Sequence, residues 1–378
     1  MSVTQSSSLR ILEGIDGIDA REWDSLAGGN PTMSHAFLDS LHRTGCASPK
    51  AGWKPQYVAL FDGGKLAGAV PLYLKSHSYG EYVFDWAWAD AYERHGLRYY
   101  PKLLAAVPFT PAAGPRLLAR DARTRSDLAT ALLEIARGSE VSSLHVLFPL
   151  DDDAQALREQ GLLERRGVQF HWRNEDYSTF DEFLAKLSHD KRKKIRQERK
   201  RVVEAGVSFR RVTGREATRA DWDFFNRCYR RTYAEHRSTP YLTREFFGMI
   251  AERMADQVLL VMAERDSRPI AAALDLFTTA ALYGRYWGSV EYVPGLHFEA
   301  CYYQAMEFCI ERGIGRFEGG AQGEHKHARG FLPEVTRSFH WLAHPAFNRA
   351  VDEYLERERG GIGMYVDELA ERSPFRKE

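Results

Sequence analysis

The chain has 378 residues, of which 44% are hydrophobic and 12% aromatic, and its 52 basic residues balance 52 acidic ones. This length exceeds one ordinary core and predicts two domains, and the composition excludes wholesale disorder. Because the formal net charge is zero, any nucleic acid or membrane partner must bind at a local charged patch.

The cysteines and the first residues indicate the compartment. No CxxC motif occurs, and only the last two of the four cysteines lie close together: Cys46, Cys228, Cys301 and Cys309. This spacing predicts reduced, structural thiols and no metal site. The chain starts MSVTQSSSLR, without an apolar segment, and no run approaches the roughly 18 apolar residues of a membrane span. We therefore expect a soluble, cytoplasmic protein.

In chain order, the first predicted elements are a helix, a hairpin and a second helix. Residues 34–44 begin at a serine cap and carry apolar residues on one side, which is typical of a helix. Residues 57–74 are two β-rich runs around Asp62-Gly63-Gly64, a hairpin turn signal. Residues 126–137 again show helical spacing and end at a glycine.

The second half of the chain repeats features of the first. Residues 259–277 repeat the hairpin plan, and RSFHW at 337–341 repeats VQFHW at 168–172. Chance similarity of these short segments is the alternative, but two similar segments in the same order favour a duplication. The spacing between these segments differs, which predicts an insertion over residues 76–111 of the first half.

The remaining elements indicate mixed α/β domains. A buried stripe over residues 297–312 predicts a helix, and a short strand follows at 315–318. The tail, 346–372, predicts one or two amphipathic helices broken at Gly360-Gly361 and Gly363. A polar stretch near 175–182 favours a division into residues 1–178 and 179–378.

Several long blocks resemble one bacterial family, the FemAB-like predicted N-acyltransferases. The blocks are SHSYGEYVFD at 76–85, YYPKLLAAVPFTP at 99–111, LSHDKRKKIRQERKRV at 187–202 and EGGAQGEHKHARGFLP at 318–333, together with YYQAMEFCIERGIGRFEGG at 302–320. The resemblance implies an α/β fold of two tandem GNAT-like domains and transfer of an acyl or aminoacyl group to an amine. It also implies a link to peptidoglycan, although a fold-level likeness does not define a substrate.

The glycine-rich block from Glu318 to Gly330 is the strongest candidate for chemistry. Acylation of an amine needs a proton acceptor and stabilisation of an oxyanion. We expect Glu318 to be the base, His325 to be the alternative base, and Glu324 to support them. The residues expected to hold substrate are Gln322, Lys326 and Arg329. The alternative is a polar loop that faces water.

The predicted strand before the clear helix has Tyr283, Arg285 and Trp287 on one face. The resemblance would place Arg285 and Trp287 beside the acyl donor, and simple packing is the alternative. The loop that follows lacks the RxxGxG/A motif by which ordinary GNAT enzymes hold the pyrophosphate of coenzyme A. This absence puts coenzyme A in doubt without excluding it.

Polar and aromatic residues also alternate between positions 76 and 88. This mixture suits the wall of a substrate pocket contributed by the first domain, with a half-buried strand as the alternative. The candidate residues are His77, Glu81, Asp85 and Trp88. No third ligand is spaced for a metal site here.

Residues 191–201 carry eight Lys or Arg against one Glu. The functional interpretation is a contact for a polyanion through Lys191, Lys193 and Lys194, and the alternative is a solvated helix face. The run contains no aromatic side chains for stacking on bases.

Two functions therefore compete. The first is an N-acyltransferase whose donor is acyl-coenzyme A, an acyl carrier protein or an aminoacyl-tRNA. Because residues 183–204 provide only a short helix and no long coiled-coil arm, a thioester donor is mildly favoured over tRNA. The second is a non-catalytic binding module that holds RNA or another anionic partner on the basic helix.

Overall fold

The computed structural model describes residues 7–321 and 323–376 of the chain. They form two compact units, neither of which is one continuous segment. Unit 1 contains residues up to Gly167 together with Val335–Tyr365, and unit 2 contains Val168–Glu334 together with the residues from Val366 onward. The division expected near residue 178 differs from these units, since residues 335–365 pack with the first part of the chain.

The strands are named in chain order. They are β1 (Ser8–Leu12), β2 (Trp53–Pro55), β3 (Tyr57–Asp62), β4 (Lys65–Val70), β5 (Leu72–Lys75), β6 (Lys102–Ala105), β7 (Leu118–Ala119), β8 (Ser143–Leu147), β9 (Leu163–Arg173), β10 (Val207–Thr213), β11 (Val258–Arg265), β12 (Arg268–Phe277), β13 (Ala281–Ser289), β14 (Arg316–Glu318) and β15 (Leu332–Leu342).

The helices are named in the same way. They are α1 (Ala20–Leu26), α2 (His35–Arg43), α3 (Trp86–Arg94), α4 (Ala122–Gly138), α5 (Asp151–Glu159), α6 (Phe180–Lys186), α7 (His189–Glu204), α8 (Arg219–Glu235), α9 (Arg244–Arg253), α10 (Leu296–Phe298), α11 (Gln304–Arg312) and α12 (Pro345–Glu371). A π-helical turn, Glu299–Tyr303, joins α10 to α11, and Glu324–Arg329 form a short 3₁₀ helix.

Unit 1 is built on two groups of strands. The first has the order β1-β3-β4-β7, and the second runs from β15 through β8, β6 and β5 to β2. β4 and β5 are separated only by Pro71, which cannot donate to a strand ladder. Helices α4 and α5 cover an apolar core that includes Leu128, Leu132 and Leu157.

Unit 2 has one sheet with the order β10-β11-β12-β13-β14, followed by the end of β9. Only β13 and β14 run parallel, and the other neighbouring pairs are antiparallel. Helix α8 lies close to β13, since a side chain on Gly288 would come within 2.2 Å of the Cys228 carbonyl oxygen. The α10–α11 segment begins after Gly295 and ends at Gly313, which has the positive φ that glycine tolerates best.

Strands and helices alternate along the chain in both units, which confirms the predicted mixed α/β fold class. Each predicted hairpin is present, as β3-β4 in unit 1 and β11-β12 in unit 2. Each FHW segment lies in a strand that pairs with a strand of its own unit: residues 171–173 of β9 pair with β14, and residues 338–342 of β15 pair with β8. An insertion begins where predicted, since 26 residues separate β5 from β6 whereas three separate β12 from β13, but it ends at residue 101, before β6, and not at 111.

The predicted break in the tail is wrong. Helix α12 continues through Gly360, Gly361 and Gly363. Glycine weakens a helix by roughly 1 kcal/mol relative to alanine without forbidding it, and only proline removes a backbone donor. The glycines therefore weaken the helix but do not end it.

Candidate active site

Two parallel strands of unit 2 separate at the residues that the sequence singled out. β13 and β14 pair over three positions, the last of which joins Tyr283 to Glu318. β14 ends there, whereas β13 continues to Ser289. A Cβ added to Gly284 would lie 3.4 Å from the backbone oxygen of Glu318, so the absence of a side chain keeps this opening narrow and lined by backbone.

β13 has a β-bulge beside this opening. Leu274 of β12 faces Tyr286 and Asp275 faces Gly284, which makes Arg285 the extra residue. A bulge turns backbone groups out of the regular ladder, and bulges are frequent next to active sites. Backbone N–H groups of β13 are therefore candidates for bonding a substrate oxygen.

Glu318 lies at the end of β14 and is 3% exposed. Its Oε1 is 3.1 Å from Nη2 of Arg316, and its neighbours in register are Tyr283 on β13 and His171 on β9. Burial and the nearby Arg316 lower the pKa of His171 to about 3, so this imidazole is neutral. Glu318 is thus a buried carboxylate beside a neutral histidine, which is suited to accepting a proton.

Lys326 is buried in the loop after β14. Its Nζ donates to the Gly320 carbonyl at 2.9 Å, and its side chain packs where a Gly319 side chain would otherwise lie. Burial lowers the pKa of Lys326 to about 8. A lysine with such a pKa exchanges a proton near neutral pH, which is unusual away from functional sites.

His325 belongs to a cluster of rings beside the same opening. Its Nε2 is 3.0 Å from the Tyr302 hydroxyl, and its ring lies 6.3 Å from His297 and 5.6 Å from Phe298. Burial, Arg329 and Lys326 lower the pKa of His325, and burial with His325 lowers that of His297 to about 4. Both imidazoles are neutral at pH 7 and able to accept a proton.

All three guanidinium nitrogens of Arg329 donate hydrogen bonds to other groups of the protein. Its Nη2 bonds Glu198 of α7 at 2.6 Å, Nε bonds the Tyr303 hydroxyl at 3.0 Å, and Nη1 bonds the His325 carbonyl at 2.7 Å. The guanidinium carbon also lies 3.4 Å from the centroid of the Phe298 ring. These bonds favour a role in holding the loop, and the expected contact with substrate stays a prediction.

The other expected residues of this unit are distributed as follows. Glu324 is exposed at the start of the 3₁₀ helix, and Gln322 lies outside the described residues. Arg285 donates to the Tyr286 hydroxyl at 3.1 Å. The ring of Trp287 lies 5.4 Å from that of His297, which places it with the His325 cluster.

One residue beside the opening was missed. Asp275 faces Gly284 in register, is 2% exposed, and has an Oδ2 atom that no described group bonds. Burial raises the pKa of Asp275 well above its ordinary value, which favours the protonated acid. An aspartate inside an Ala-rich strand was the available signal.

In unit 1, the expected Glu81 and Asp85 are buried against lysine. Lys102 Nζ bonds Ser78 at 2.7 Å and Glu81 at 2.8 Å, and it also bonds Asp85. Lys75 Nζ lies 3.8 Å from Glu81. Burial raises the pKa of Glu81 to about 7 and lowers that of Lys75 to about 7.

A chain of hydrogen bonds continues from this lysine cluster to two histidines. Tyr99 donates to Asp85 at 2.6 Å and lies 3.2 Å from Nε2 of His145. Nδ1 of His145 is 2.7 Å from Nδ1 of His340, and the Trp88 ring packs on both imidazoles. Neither lysine nor His145 was expected here, because lysine is rarely buried, although His340 belongs to the repeated FHW segment.

His77 lies at the edge of this region. Its Nδ1 accepts from the Tyr79 N–H at 3.2 Å, and a side chain on Gly52 would collide with its ring. Burial, followed by Lys75, lowers the pKa of His77. His77, Glu81, Asp85 and Trp88 therefore all lie in unit 1, whereas the Glu318 loop lies in unit 2.

The basic run forms most of α7. Ile195, Glu198 and Val202 face inward, whereas Lys193 and Lys194 are exposed and Lys191 is half-buried. A surface groove of about 350 Å³ follows the outer face and is lined by His189, Arg192, Lys193, Arg196, Gln197 and Lys200. This groove is a candidate anion-binding surface.

Within residues 7–321 and 323–376, no group of three or more metal-binding side chains comes together. A search of the same residues finds no helix long and apolar enough to cross a membrane.

Solved structures that resemble the chain share its fold at low identity. FemX is 13% identical, with a TM-score of 0.56, over 89% of this chain and 98% of that one. The C-terminal domain of a putative lysylphosphatidylglycerol synthetase from Agrobacterium fabrum is 12% identical, with a TM-score of 0.53, over 88% and 96%. A tandem GNAT protein from the clavulanic acid pathway is 14% identical, with a TM-score of 0.49, over 90% and 99%.

A sequence search among curated proteins finds no match. A family model does match, over residues 14–377, and its description is peptidoglycan biosynthesis and recognition. The match spans both units and every expected site residue, which confirms the resemblance drawn from the sequence blocks. The chain belongs to the FemAB-like family.

Proposed function

We propose that the protein is an N-acyltransferase that moves an acyl or aminoacyl group from an activated donor to an amine. The reaction takes place where β13 and β14 separate in unit 2. Membership of a peptidoglycan family supports an acceptor amine on a cell-wall precursor. The likeness to FemX supports the fold on which such a site is built.

One observation carries the proposal: a bulged strand and a buried carboxylate meet at one opening. Arg285 marks the bulge on β13, and Glu318 ends the neighbouring strand. Acyl transfer needs hydrogen-bond donors for the oxyanion and an acceptor for the amine proton. The β13 backbone and Glu318 offer these two functions.

The reaction balances with these groups. The lone pair of the neutral amine attacks the acyl carbon, and the carbonyl oxygen becomes an oxyanion that β13 N–H groups stabilise. Glu318 accepts the proton that the amine nitrogen loses. The bond from the acyl carbon to the donor sulfur or oxygen then breaks, and the leaving group takes up a proton. Lys326, with its pKa of about 8, can supply that proton.

The test is Glu318→Gln, which removes the proton acceptor and keeps the size of the side chain. Transfer is measured with radiolabelled alanyl-tRNA and with acetyl-pantetheine as donors, and a muramyl pentapeptide with a free lysine amine as acceptor. We expect kcat to fall about a hundredfold or more, since a positioned base contributes about that much.

Glu311→Gln is the matched control, because Glu311 is exposed on α11 and pairs with Arg211. It should transfer at the rate of the unchanged protein. Normal turnover by Glu318→Gln would remove Glu318 from the mechanism. Failure of the unchanged protein to transfer from either donor would contradict the proposed function.

The groove on α7 supports a second candidate, a module that binds RNA or another anionic partner without catalysis. It explains the exposed lysines but not the buried carboxylate and lysine at the β13–β14 opening. We therefore rank it second.

A further inference from the structure

This inference rests on the proposed function and concerns how the donor is held. The fold family implies coenzyme A, whose phosphates need an anion site. β13 borders the donor opening and leads through the loop 290–295 to α10, so the N-terminus of α10 is the helix start that follows this strand. Free N–H groups at such an end bind phosphate when they are accessible.

Helix α7 covers that N-terminus. Gly295, directly before α10, has a φ of 86°, and a Cβ there would lie 3.3 Å from the Glu198 carbonyl oxygen and 3.5 Å from Val202. Val202, Val293 and Leu296 belong to one buried apolar cluster. A phosphate would have to displace these packed side chains, at the cost of their burial.

The first N–H of the helix is also occupied, and the ordinary helical ladder begins at Glu299. The N–H of Leu296 donates to the Val293 carbonyl at 3.1 Å, and that of Glu299 donates to the Gly295 carbonyl at 3.0 Å. The preceding loop contains Pro294, which has no N–H, and only one glycine. This leaves the N–H groups of His297 and Phe298 for a phosphate, without the glycine-rich loop that forms a pyrophosphate cradle.

The chain supplies its own negative charge at this position. Glu299, in the first turn, is 3% exposed and accepts from Arg199 Nη2 at 3.0 Å and from Gln304 Nε2 at 2.8 Å. Arg199 also bonds Glu307 at 2.7 Å. A carboxylate at a helix N-terminus satisfies the same field that would attract a phosphate, and a second anion beside it would be repelled.

Arg329, the arginine beside α10, also has its hydrogen-bond donors occupied within the protein. Arg329, which lies over the Phe298 ring, is bonded to Glu198 of α7. The residues at the start of α10 therefore do not fit coenzyme A.

We propose that α7 closes the phosphate site of the fold, so that the donor is recognised by its acyl group and adjoining linker and not by a nucleotide pyrophosphate. The substrate class is then a thioester or ester donor for which 3′-phospho-ADP contributes nothing at α10. Acyl donors that lack the nucleotide should therefore react as well as the matching coenzyme A thioesters.

Two measurements test this. Amide NMR follows the N–H signals of His297 and Phe298 while coenzyme A is added to the full chain, and kinetics compare acetyl-coenzyme A with acetyl-pantetheine. We expect unmoved signals and kcat/KM values within about threefold, whereas real phosphate contacts would favour coenzyme A about tenfold or more.

A saturable shift at His297 or Phe298, or a tenfold preference for acetyl-coenzyme A, would overturn the inference. Lys193→Gln with Arg196→Gln controls for phosphate bound in the α7 groove, because it removes that binding and leaves α10 unchanged. If neither thioester reacts, the NMR result still decides the inference, and transfer from alanyl-tRNA then decides the proposed function separately.

Discussion

Burial determines the protonation of several residues near the β13–β14 opening. It raises the pKa of Asp275 well above its ordinary value, lowers that of His171 to about 3 and lowers that of Lys326 to about 8. Removal of charged groups from water shifts each pKa towards the neutral form. A lysine whose pKa lies near 8 exchanges its proton readily, which suits a site that moves protons near neutral pH.

The first residue-scale prediction concerns Lys102 in unit 1. Lys102→Met would leave Glu81 and Asp85 buried without their shared cation, and breaking a buried ion pair in this way costs about 3–5 kcal/mol. We expect the urea midpoint of unfolding to fall accordingly. Lys65→Met, at an exposed position on β4, should unfold like the unchanged protein.

The loss of stability caused by Lys102→Met should also depend on pH. Burial acts to raise the pKa of Asp85, but Lys102 and His145 outweigh it, so this pKa lies below its ordinary value. A depressed carboxyl pKa stabilises the fold above the unfolded pKa of about 3.9, and this stabilisation is lost as pH falls below it. The difference between Lys102→Met and the unchanged protein should therefore shrink below pH 4. A difference that stays constant as the pH falls below 4 would contradict the ion pair.

At the residue scale, the mixture of residues in one segment pointed to the candidate site, whereas the positions of single residues did not show which of them are buried. Glu318, His325 and Lys326 were chosen as candidates because glycines and titratable residues are concentrated in one loop. Lys75 and Lys102 could not be found in this way, since a lone lysine in a strand ordinarily indicates an exposed position. Their burial depends on carboxylates that only the folded chain brings close.

At the scale of elements, the glycines of α12 give a stability prediction. A Cβ on Gly360, Gly361 or Gly363 would meet no atom within 4 Å. Alanine at each position should stabilise the protein by about 0.5–1 kcal/mol, because it restricts the unfolded chain and favours the helix. Thermal unfolding measures the gain, and Gly295→Ala should instead destabilise, given its φ of 86°.

If the three alanine variants lowered the unfolding temperature, the glycines would have a packing role that the helix does not show. The prediction that the helix breaks at these glycines was wrong for a related reason. It judged the helix from local propensity alone, whereas the tertiary packing of residues such as Leu355 and Leu369 outweighs the low helix propensity of glycine.

Helix α7 gives a prediction about anion binding. Replacing Lys191, Lys193 and Lys194 by glutamine removes three positive charges from its surface. Binding of bulk tRNA, measured by filter retention over a salt series, should weaken, and the slope of log affinity against log salt should decrease by about two to three.

Lys54→Gln, an exposed position on β2 of unit 1, is the control and should leave the slope unchanged. Binding of tRNA that is independent of salt, or equal in both variants, would remove α7 from any contact with a polyanion.

At the scale of the whole molecule, internal repeats predicted the elements that the two units share, but not the surrounding ones such as β1, α3, α8 and α9. The paired hairpins and the FHW strands fall in equivalent places of the two units. The sequence did not show which unit each FHW strand joins, because strand pairing over 190 residues leaves no local pattern. Only the folded chain shows that the last strand of unit 1 is β15.

This late strand has a consequence for synthesis on the ribosome. β8 has β6 on one side and β15 on the other, so one edge of β8 stays open until residue 342 has emerged. An open strand edge readily pairs with other chains. Nearly 200 residues must therefore be translated after β8 before its sheet is complete, and over that interval the nascent chain is most exposed to wrong partners or most in need of a chaperone.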